Sequence, residues 1–290
     1  MSEIETGEKA EPFFGDKLYQ QRARAALPLL VRQAKVQQTI YYSDLAEELN
    51  IPNPRNLNFV LGSVGRTLIN LGKEWGEEIP PIQCLVVNRA DELPGEGIVF
   101  FISKGEYLAM SKRQRRILVV AELQKIFAYA KWDAVLAAFA MQPATSDFSK
   151  AVRKATTSGR GGGESEYHRL LKEHVATHPA LIGLAATIAN GVTEYVLPSG
   201  DEPDVLFREG QEWIAVEVIS HISGDDDLVR GLFQCIKYQA VLEAFLLSTN
   251  RSPNVRTVLV TGRPWPQELL PLRNILGVEV ITIEMPTAAT

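Results

Sequence analysis

Residues 199–238 read SGDEPDVLFREGQEWIAVEVISHISGDDDLVRGLFQCIKY. One acid, Asp204, follows a proline, and a second, Glu217, stands inside an apolar, β-branched run that predicts a strand. A carboxylate inside such a strand is unfavourable unless it has a partner. A second carboxylate on the preceding strand of a hairpin would supply one, because two neighbouring carboxylates can hold a divalent cation. This stretch therefore predicts a two-carboxylate cation site.

The helix predicted after this strand carries Gln234 and Tyr238, four residues apart and hence on one helix face. Pro203-Asp204 and Glu217-Val218 precede it, with Ile219 two positions after the acid. In this order the residues resemble the PD-(D/E)xK nuclease superfamily, whose pattern is Pro-Asp, a gap, and Asp/Glu-x-Lys. Gln234 and Tyr238 match the QxxxY helix of its RecB-like branch.

Further upstream, ESEYHRLLK at 164–172 resembles the first core helix of that superfamily, with Glu166 in the place of its acid. The resemblance covers residues 164–290. It implies that Asp204, Glu217 and the main-chain carbonyl of Val218 bind Mg²⁺ or Mn²⁺. It also implies that Glu166, Gln234 and Tyr238 belong to the same site.

The sequence departs from the family at Ile219, where the pattern has a lysine that orients or activates the attacking water. Lys237, on the facing helix, is the expected substitute, and His221 is the weaker one. The alternative is a nuclease fold that binds DNA and cuts slowly or not at all. These residues also have a purely structural interpretation. In it, Glu217 is a paired structural glutamate, and Gln234 and Tyr238 form a buried polar pair.

Composition places the chain among ordinary globular proteins. It has 290 residues, of which 46% are hydrophobic and 22% charged, and a net charge of −5. Residues 1–150 hold 18 basic and 18 acidic residues, which leaves 12 basic and 17 acidic residues for the remainder. An acidic second half argues against binding nucleic acid by bulk charge alone. It does not exclude a nuclease, because a bound cation attracts phosphate.

Two distant cysteines, no apolar run long enough for a membrane span and a polar, acidic start predict a cytoplasmic protein without membrane contact. Residues 1–14 are expected to be a frayed tail.

The first half predicts a winged helix-turn-helix. Helices are expected over 16–34, 44–49 (capped by Ser43) and 54–71, followed by strands at 82–87 and 98–102 around a wing loop. The helix from Pro54 would be the recognition helix, because its polar side chains suit base edges and phosphates. The predicted DNA-binding residues are Arg55, Asn56, Asn58, Ser63, Arg66 and, in the wing, Arg89.

Residues 42–97 also resemble the DNA-binding domain of O6-alkylguanine alkyltransferase-like proteins. That family has a reactive cysteine followed by histidine, whereas Cys84 here precedes Leu85. Without a neighbouring base the thiol is a poor nucleophile. The resemblance therefore implies DNA-facing geometry, and recognition of alkylated bases is kept only as a third hypothesis.

The remaining segments complete an α/β (α+β) plan. Two helices are expected within 109–142, and 146–163, ending in GRGGG, predicts a flexible linker. The second half predicts helices over 164–177, 228–247 and 266–275, with strands at 195–197, 204–207, 213–220, 255–261 and 278–284. The expected domains are thus a winged-helix domain over 1–145 and a restriction-endonuclease-like mixed sheet flanked by helices over 164–290.

The favoured function is a metal-dependent endonuclease for double-stranded DNA, expected as a homodimer and suited to restriction or phage defence. The alternative is a DNA-binding protein with an inactive nuclease fold. His168, His174 and His178 are expected to be solvated helix residues, because no further ligand completes a zinc site.

Overall fold

A computed structural model describes residues 9–95, 102–157 and 165–284, and the chain divides into two compact units, Met1–Ser146 and Asp147–Thr290. Helices and a sheet of mixed strand orientation agree with the expected α+β class. The first unit contains α1 (Leu18–Lys35), β1 (Ile40–Tyr41), α2 (Tyr42–Glu48), α3 (Leu57–Trp75), β2 (Val86–Val87), α4 (Lys104–Ala109), α5 (Lys112–Ala128) and α6 (Trp132–Ala138).

The core of the first unit forms where α1 packs against α3. Ala23, Leu27 and Leu30 of α1 and Val60 and Val64 of α3 are fully buried. Their spacing of three and four residues puts each set on one helix face. The helices predicted over 16–34 and 54–71 are thus confirmed, except that Pro54–Asn56 forms a 3-10 turn before α3.

The residues before α1 are not a frayed tail as far as they are described. Phe13 is 1% exposed, and its N–H donates to Thr67 Oγ1 at 3.1 Å. Ser63 Oγ donates to the Glu11 carbonyl at 2.7 Å. The expectation of a tail over 1–14 is therefore wrong for residues 10–13, because α3 binds them through hydroxyl groups and buries their apolar side chains.

Several other local predictions for this unit are corrected. Residues 82–85 form a 3-10 helix in place of the first part of a strand, since the Cys84 N–H closes a turn on the Pro81 carbonyl. The short β2 pairs with β1 in parallel. Helix α2 begins at Tyr42, so Ser43 lies inside it and is not its cap. The strand expected at 98–102 lies, except for its last residue, outside the described residues.

The second unit contains α7 (Ser149–Thr157), α8 (Glu166–Thr177), β3 (Val205–Glu209), β4 (Glu212–Ile219), α9 (Asp225–Ser248), β5 (Val255–Thr261), α10 (Leu270–Leu276) and β6 (Glu279–Thr282). Its sheet has the order β3-β4-β5-β6. The β3–β4 pair is an antiparallel hairpin, whereas β4, β5 and β6 are parallel.

The two faces of this sheet are covered by different helices. Val216 and Val218 of β4 pack with Leu171 and Val175 of α8. Ala215 of β4 lies on the other face, in a cluster with Tyr238 and Leu242 of α9. The alternation predicted for β4 is therefore confirmed, and Glu217 lies on the α9 face.

Two predictions for the second unit are wrong. Residues 195–197 form no strand, because a turn closes there: the Leu197 N–H donates to the Asp201 carbonyl at 2.8 Å. A single antiparallel bridge, Val192↔Leu206, lies beside β3 instead. Residues 149–157, expected within the flexible linker, form α7, and Ala155 is buried against α9. The glycine-rich part, 158–163, lies outside the described residues.

Candidate functional site

The β3–β4 hairpin places the two predicted carboxylates at the same end of the sheet. Val205 of β3 pairs with Val216 of β4, so the next pair of positions outward is Asp204 and Glu217. The Val218 N–H donates to Asp204 Oδ2 at 2.8 Å, which fixes the Asp204 side chain beside β4. Both acids are half-buried. The register thus gives the sequence-predicted pair a common position at one end of the hairpin.

His168 of α8 is the second partner of Asp204. Its Nε2 lies 3.2 Å from Asp204 Oδ2, and its side chain is only 25% exposed. The expectation that His168 is a solvated helix residue is therefore wrong. Ser165 caps helix α8 from the position before it: its hydroxyl accepts the His168 N–H at 3.1 Å. This cap sets the start of the helix and, with it, the position of His168.

Tyr238 of α9 is the partner of Glu217. Its hydroxyl donates to Glu217 Oε2 at 2.9 Å, and its side chain is almost fully buried. Burial, together with the negative charges of Glu217 and Asp204, raises the pKa of Tyr238. The phenol therefore stays protonated and acts as a donor to Glu217.

Both carboxylates also act on one buried thiol. Cys235 lies one turn before Tyr238 and is fully buried. Burial and the charges of Glu217 and Asp204 raise its pKa well above the ordinary value.

The residues of this region fit a magnesium site in which water supplies most of the ligands. Mg²⁺ is commonly bound by one or two carboxylates, with water completing its shell. Among the described residues, no group of three or more His, Cys, Asp or Glu side chains is arranged to hold a metal. The chain thus offers Asp204 and Glu217 as a pair, and a role for the Val218 carbonyl stays a prediction.

The position that would carry the family's lysine is apolar in its contacts. Ile219 packs beside Leu259 and Leu228 on the α9 face. Lys237 does not replace the lysine, because its Nζ forms an ion pair with Asp201 Oδ1 at 2.6 Å. His221 does not continue the face of Glu217; its ring contacts Tyr167 of α8. Neither expected substitute therefore contacts the two carboxylates.

Gln234 and Glu166 are the other residues that the family pattern predicts. Gln234 is half-buried one turn before Tyr238, and Glu166 is exposed as the first residue of α8. No hydrogen bond or ion pair joins either of them to Asp204 or Glu217 within the described parts of the chain. His168, two residues after Glu166, is the α8 residue that contacts the site.

The predicted DNA-binding residues differ in exposure. Arg55 and Asn56 are exposed in the 3-10 turn before α3, and Asn58 and Arg66 of α3 are half-buried. Ser63 is fully buried and bonded to the main chain, so its predicted contact with DNA is wrong. Arg89 forms an ion pair with Asp44 at 3.0 Å and lies over the Tyr41 ring.

Cys84 has none of the features of an alkyl acceptor. It is 1% exposed, and burial, with a smaller contribution from Glu122, raises the pKa of its thiol. A reactive cysteine needs a lowered pKa and access to its substrate. The third hypothesis, recognition of alkylated bases through this residue, therefore gains no support.

No helix in the described parts of the chain is both long and apolar enough to cross a membrane. No protein-family model, curated protein or solved structure matches this chain.

Proposed function

We propose that the second unit is a metal-dependent nuclease domain that hydrolyses phosphodiester bonds in DNA. The observation that carries this proposal is the juxtaposition of Asp204 and Glu217 across the β3–β4 hairpin, with Tyr238 hydrogen-bonded to Glu217. These three residues match the PD-(D/E)xK and QxxxY patterns, and they lie just before β3, in β4 and in α9.

The order of the elements supports the same proposal. Helix α8, the β3–β4 hairpin, α9 and the parallel β5 follow one another, and α8 and α9 cover opposite faces of the sheet. A mixed sheet with helices on both faces is what a restriction-endonuclease-like core requires.

In this proposal each residue has a limited task. Asp204 and Glu217 would hold Mg²⁺ or Mn²⁺, which when bound polarises the scissile phosphate and lowers the pKa of a water molecule. His168 and the Val218 N–H fix the orientation of Asp204. Tyr238, kept protonated by its surroundings, fixes that of Glu217.

The first unit would bind the DNA. We propose that it is a winged-helix domain in which the 3-10 turn before α3 faces DNA with Arg55 and Asn56, since both are exposed. Asn58 and Arg66 would contribute from half-buried positions of α3. Because cutting both strands of a duplex requires two active sites, a homodimer is the matching assembly.

Cleavage of supercoiled plasmid with Mg²⁺ or Mn²⁺ tests this function. We expect nicked and linear DNA with the wild-type chain and at least about a 100-fold lower rate with Asp204→Asn, since loss of one carboxylate weakens both cation binding and charge stabilisation. Asp201→Asn is the matched control, because this acid pairs with Lys237. Absence of cleavage by the wild type, or equal cleavage by Asp204→Asn, would contradict the proposal.

A second function is favoured by one observation, the apolar packing of Ile219 beside the carboxylates. In that case the protein binds DNA through a nuclease fold that cuts poorly. Ile219 is half-buried, so a lysine there could extend its ammonium toward solvent. Under this alternative, Ile219→Lys should start metal-dependent cutting, whereas Val196→Lys, at an exposed position, should not.

A further inference from the structure

An exposed aromatic pair lies beside the candidate site. Tyr167 of α8 is 53% exposed, and its ring centroid is 4.6 Å from that of His221, with the rings at 77°. His221 is also exposed, in the segment that follows β4. Two segments distant in sequence thus present one aromatic surface.

The backbone under this surface is tightly packed. Gly262 follows β5, and its N–H donates to the Ile219 carbonyl at 2.8 Å. A Cβ at position 262 would lie 2.9 Å from the backbone nitrogen of His221 and 3.4 Å from Leu171 Cδ2. Only a glycine permits this approach, so His221 is fixed against the end of β5 and α8. The surface therefore lies at the carboxyl ends of parallel strands, where sheets of this kind bind ligands.

The same surface borders the carboxylates. Tyr167 immediately precedes His168, whose Nε2 contacts Asp204. Two apolar residues in the same segments, Leu170 and Ile222, are 39% and 57% exposed. Large exposed side chains are individually ordinary on a protein surface. Here they belong to the same two segments as the aromatic pair, whose α8 member precedes His168 in the chain.

We propose that Tyr167 and His221 form a stacking platform for an unpaired nucleobase, next to the scissile phosphate. Unstacked bases bind aromatic side chains through their π faces without regard to sequence, whereas the bases of a duplex cover one another's faces. The inference rests on the proposed nuclease function and refines it: the strand that enters the site is single-stranded. A duplex substrate would need a locally unpaired segment there, such as negative supercoiling opens in a plasmid.

Photo-crosslinking with the full chain tests the platform locally. An oligonucleotide carrying 5-iodouracil is irradiated with the protein in the presence of EDTA, and crosslinked residues are mapped by mass spectrometry. Without a divalent cation the DNA stays intact, so binding is measured independently of cutting. We expect crosslinks at Tyr167 or His221 for the single strand and at least about five-fold fewer there for the same base in a duplex.

Variants distinguish stacking from mere proximity. The double variant Tyr167→Ala/His221→Ala should lose these crosslinks, and Tyr167→Phe, which keeps the ring, should retain them. Phe233→Ala, at an exposed aromatic residue of α9, is the matched control and should behave as the wild type. Crosslinks that map elsewhere, equal yields from the duplex, or an unchanged yield in the double variant would overturn the platform.

The outcomes also separate the platform from the nuclease function. Tyr167-dependent crosslinks in a protein that never cuts DNA would leave the platform standing and remove the function. If cutting depends on Asp204 but the crosslinks do not depend on Tyr167, the nuclease function stands and the platform is removed.

Discussion

Asp204 is held by two donors that come from different elements, the Val218 N–H of β4 and His168 of α8. A carboxylate that is oriented before a cation arrives loses less freedom on binding it. Residues that hydrogen-bond a metal ligand in this way change metal affinity when they are replaced.

We predict that His168→Ala lowers the affinity for Mn²⁺ by about 10-fold, the lower end of the effect of such outer residues. Isothermal titration calorimetry measures it. His174→Ala, on the same helix, is the matched control and should bind Mn²⁺ as the wild type does. Equal affinity in the His168 variant would show that its contact with Asp204 does not orient a ligand.

Cys84 gives a prediction for alkaline pH. Because burial raises the pKa of this thiol above its ordinary value of 9.0, the unfolded chain loses the proton before the folded chain does. The stabilising effect is therefore fully present below about pH 9 and is lost as pH rises beyond it. Denaturant unfolding between pH 7 and pH 10.5 measures the decline.

For one such group the slope is at most about 1.4 kcal/mol per pH unit. Cys84→Ala should make the decline less steep by up to that amount, whatever its effect on stability at neutral pH. An identical pH dependence in the variant would contradict the buried, protonated thiol.

At the scale of elements, α7 is a helix whose apolar pattern is present in the sequence but is obscured by the composition around it. Phe148, Ala151, Val152 and Ala155 recur at helical spacing and pack against α9. The neighbouring glycines made the whole stretch resemble a linker. Apolar periodicity, read residue by residue, predicts the helix.

We predict that Ala155→Asp lowers the free energy of unfolding of the second unit by about 2 kcal/mol or more, since it buries an unpaired charge against α9. Thr156→Asp introduces the same residue at the exposed neighbouring position and should have an effect within about 0.5 kcal/mol. Urea unfolding compares the two. Equal effects would mean that α7 does not depend on its contact with α9.

The contact between α9 and the sheet predicts an exception to a general rule. Replacing a helical glycine by alanine normally stabilises a protein. At Gly231 a Cβ would lie 2.7 Å from Leu259 Cδ1 and 3.3 Å from Ile219 Cγ1. Gly231→Ala should therefore destabilise the protein, by about 1–3 kcal/mol.

Gly105→Ala is the control, because nothing lies within 4 Å of a Cβ there. It should leave the melting temperature unchanged or raise it. A rise with Gly231→Ala as well would show that α9 packs less closely on β4 and β5 than described.

Short-range patterns account for what could be predicted of the site. The hairpin, the acid within β4 and the Gln234-Tyr238 spacing lie within one stretch of sequence, so Asp204, Glu217 and Tyr238 were found together. The contacts of His168 with Asp204 and of Ser63 with Glu11 join residues 36 and 52 positions apart, and no local pattern encodes them. The strand predicted at 195–197 does not form, because a turn at Leu197 uses a backbone N–H that a strand would need for pairing.

At the scale of the whole molecule, each unit has hydrophobic clusters of its own. Among the described residues, the largest lies within the first unit, around α1 and α3, and three others lie within the second. A core that is complete within one segment is what allows a domain to fold alone.

We predict that residues 147–290 fold as an isolated fragment and keep the affinity of the full chain for Mn²⁺. Residues 165–290, which lack α7, should be less stable by at least about 2 kcal/mol, because Val152 and Ala155 no longer cover α9. Circular dichroism with urea unfolding compares them. Equal stability of the two fragments would show that α7 does not stabilise the second unit.

Anomalous diffraction from a crystal soaked in Mn²⁺ tests the central claim most directly, because it locates the cation without requiring catalysis. We predict one peak within about 2.0–2.3 Å of carboxylate oxygens of both Asp204 and Glu217. Mn²⁺ bound only elsewhere, or no peak at these two acids at saturating Mn²⁺, would contradict the two-carboxylate site and the nuclease function built on it.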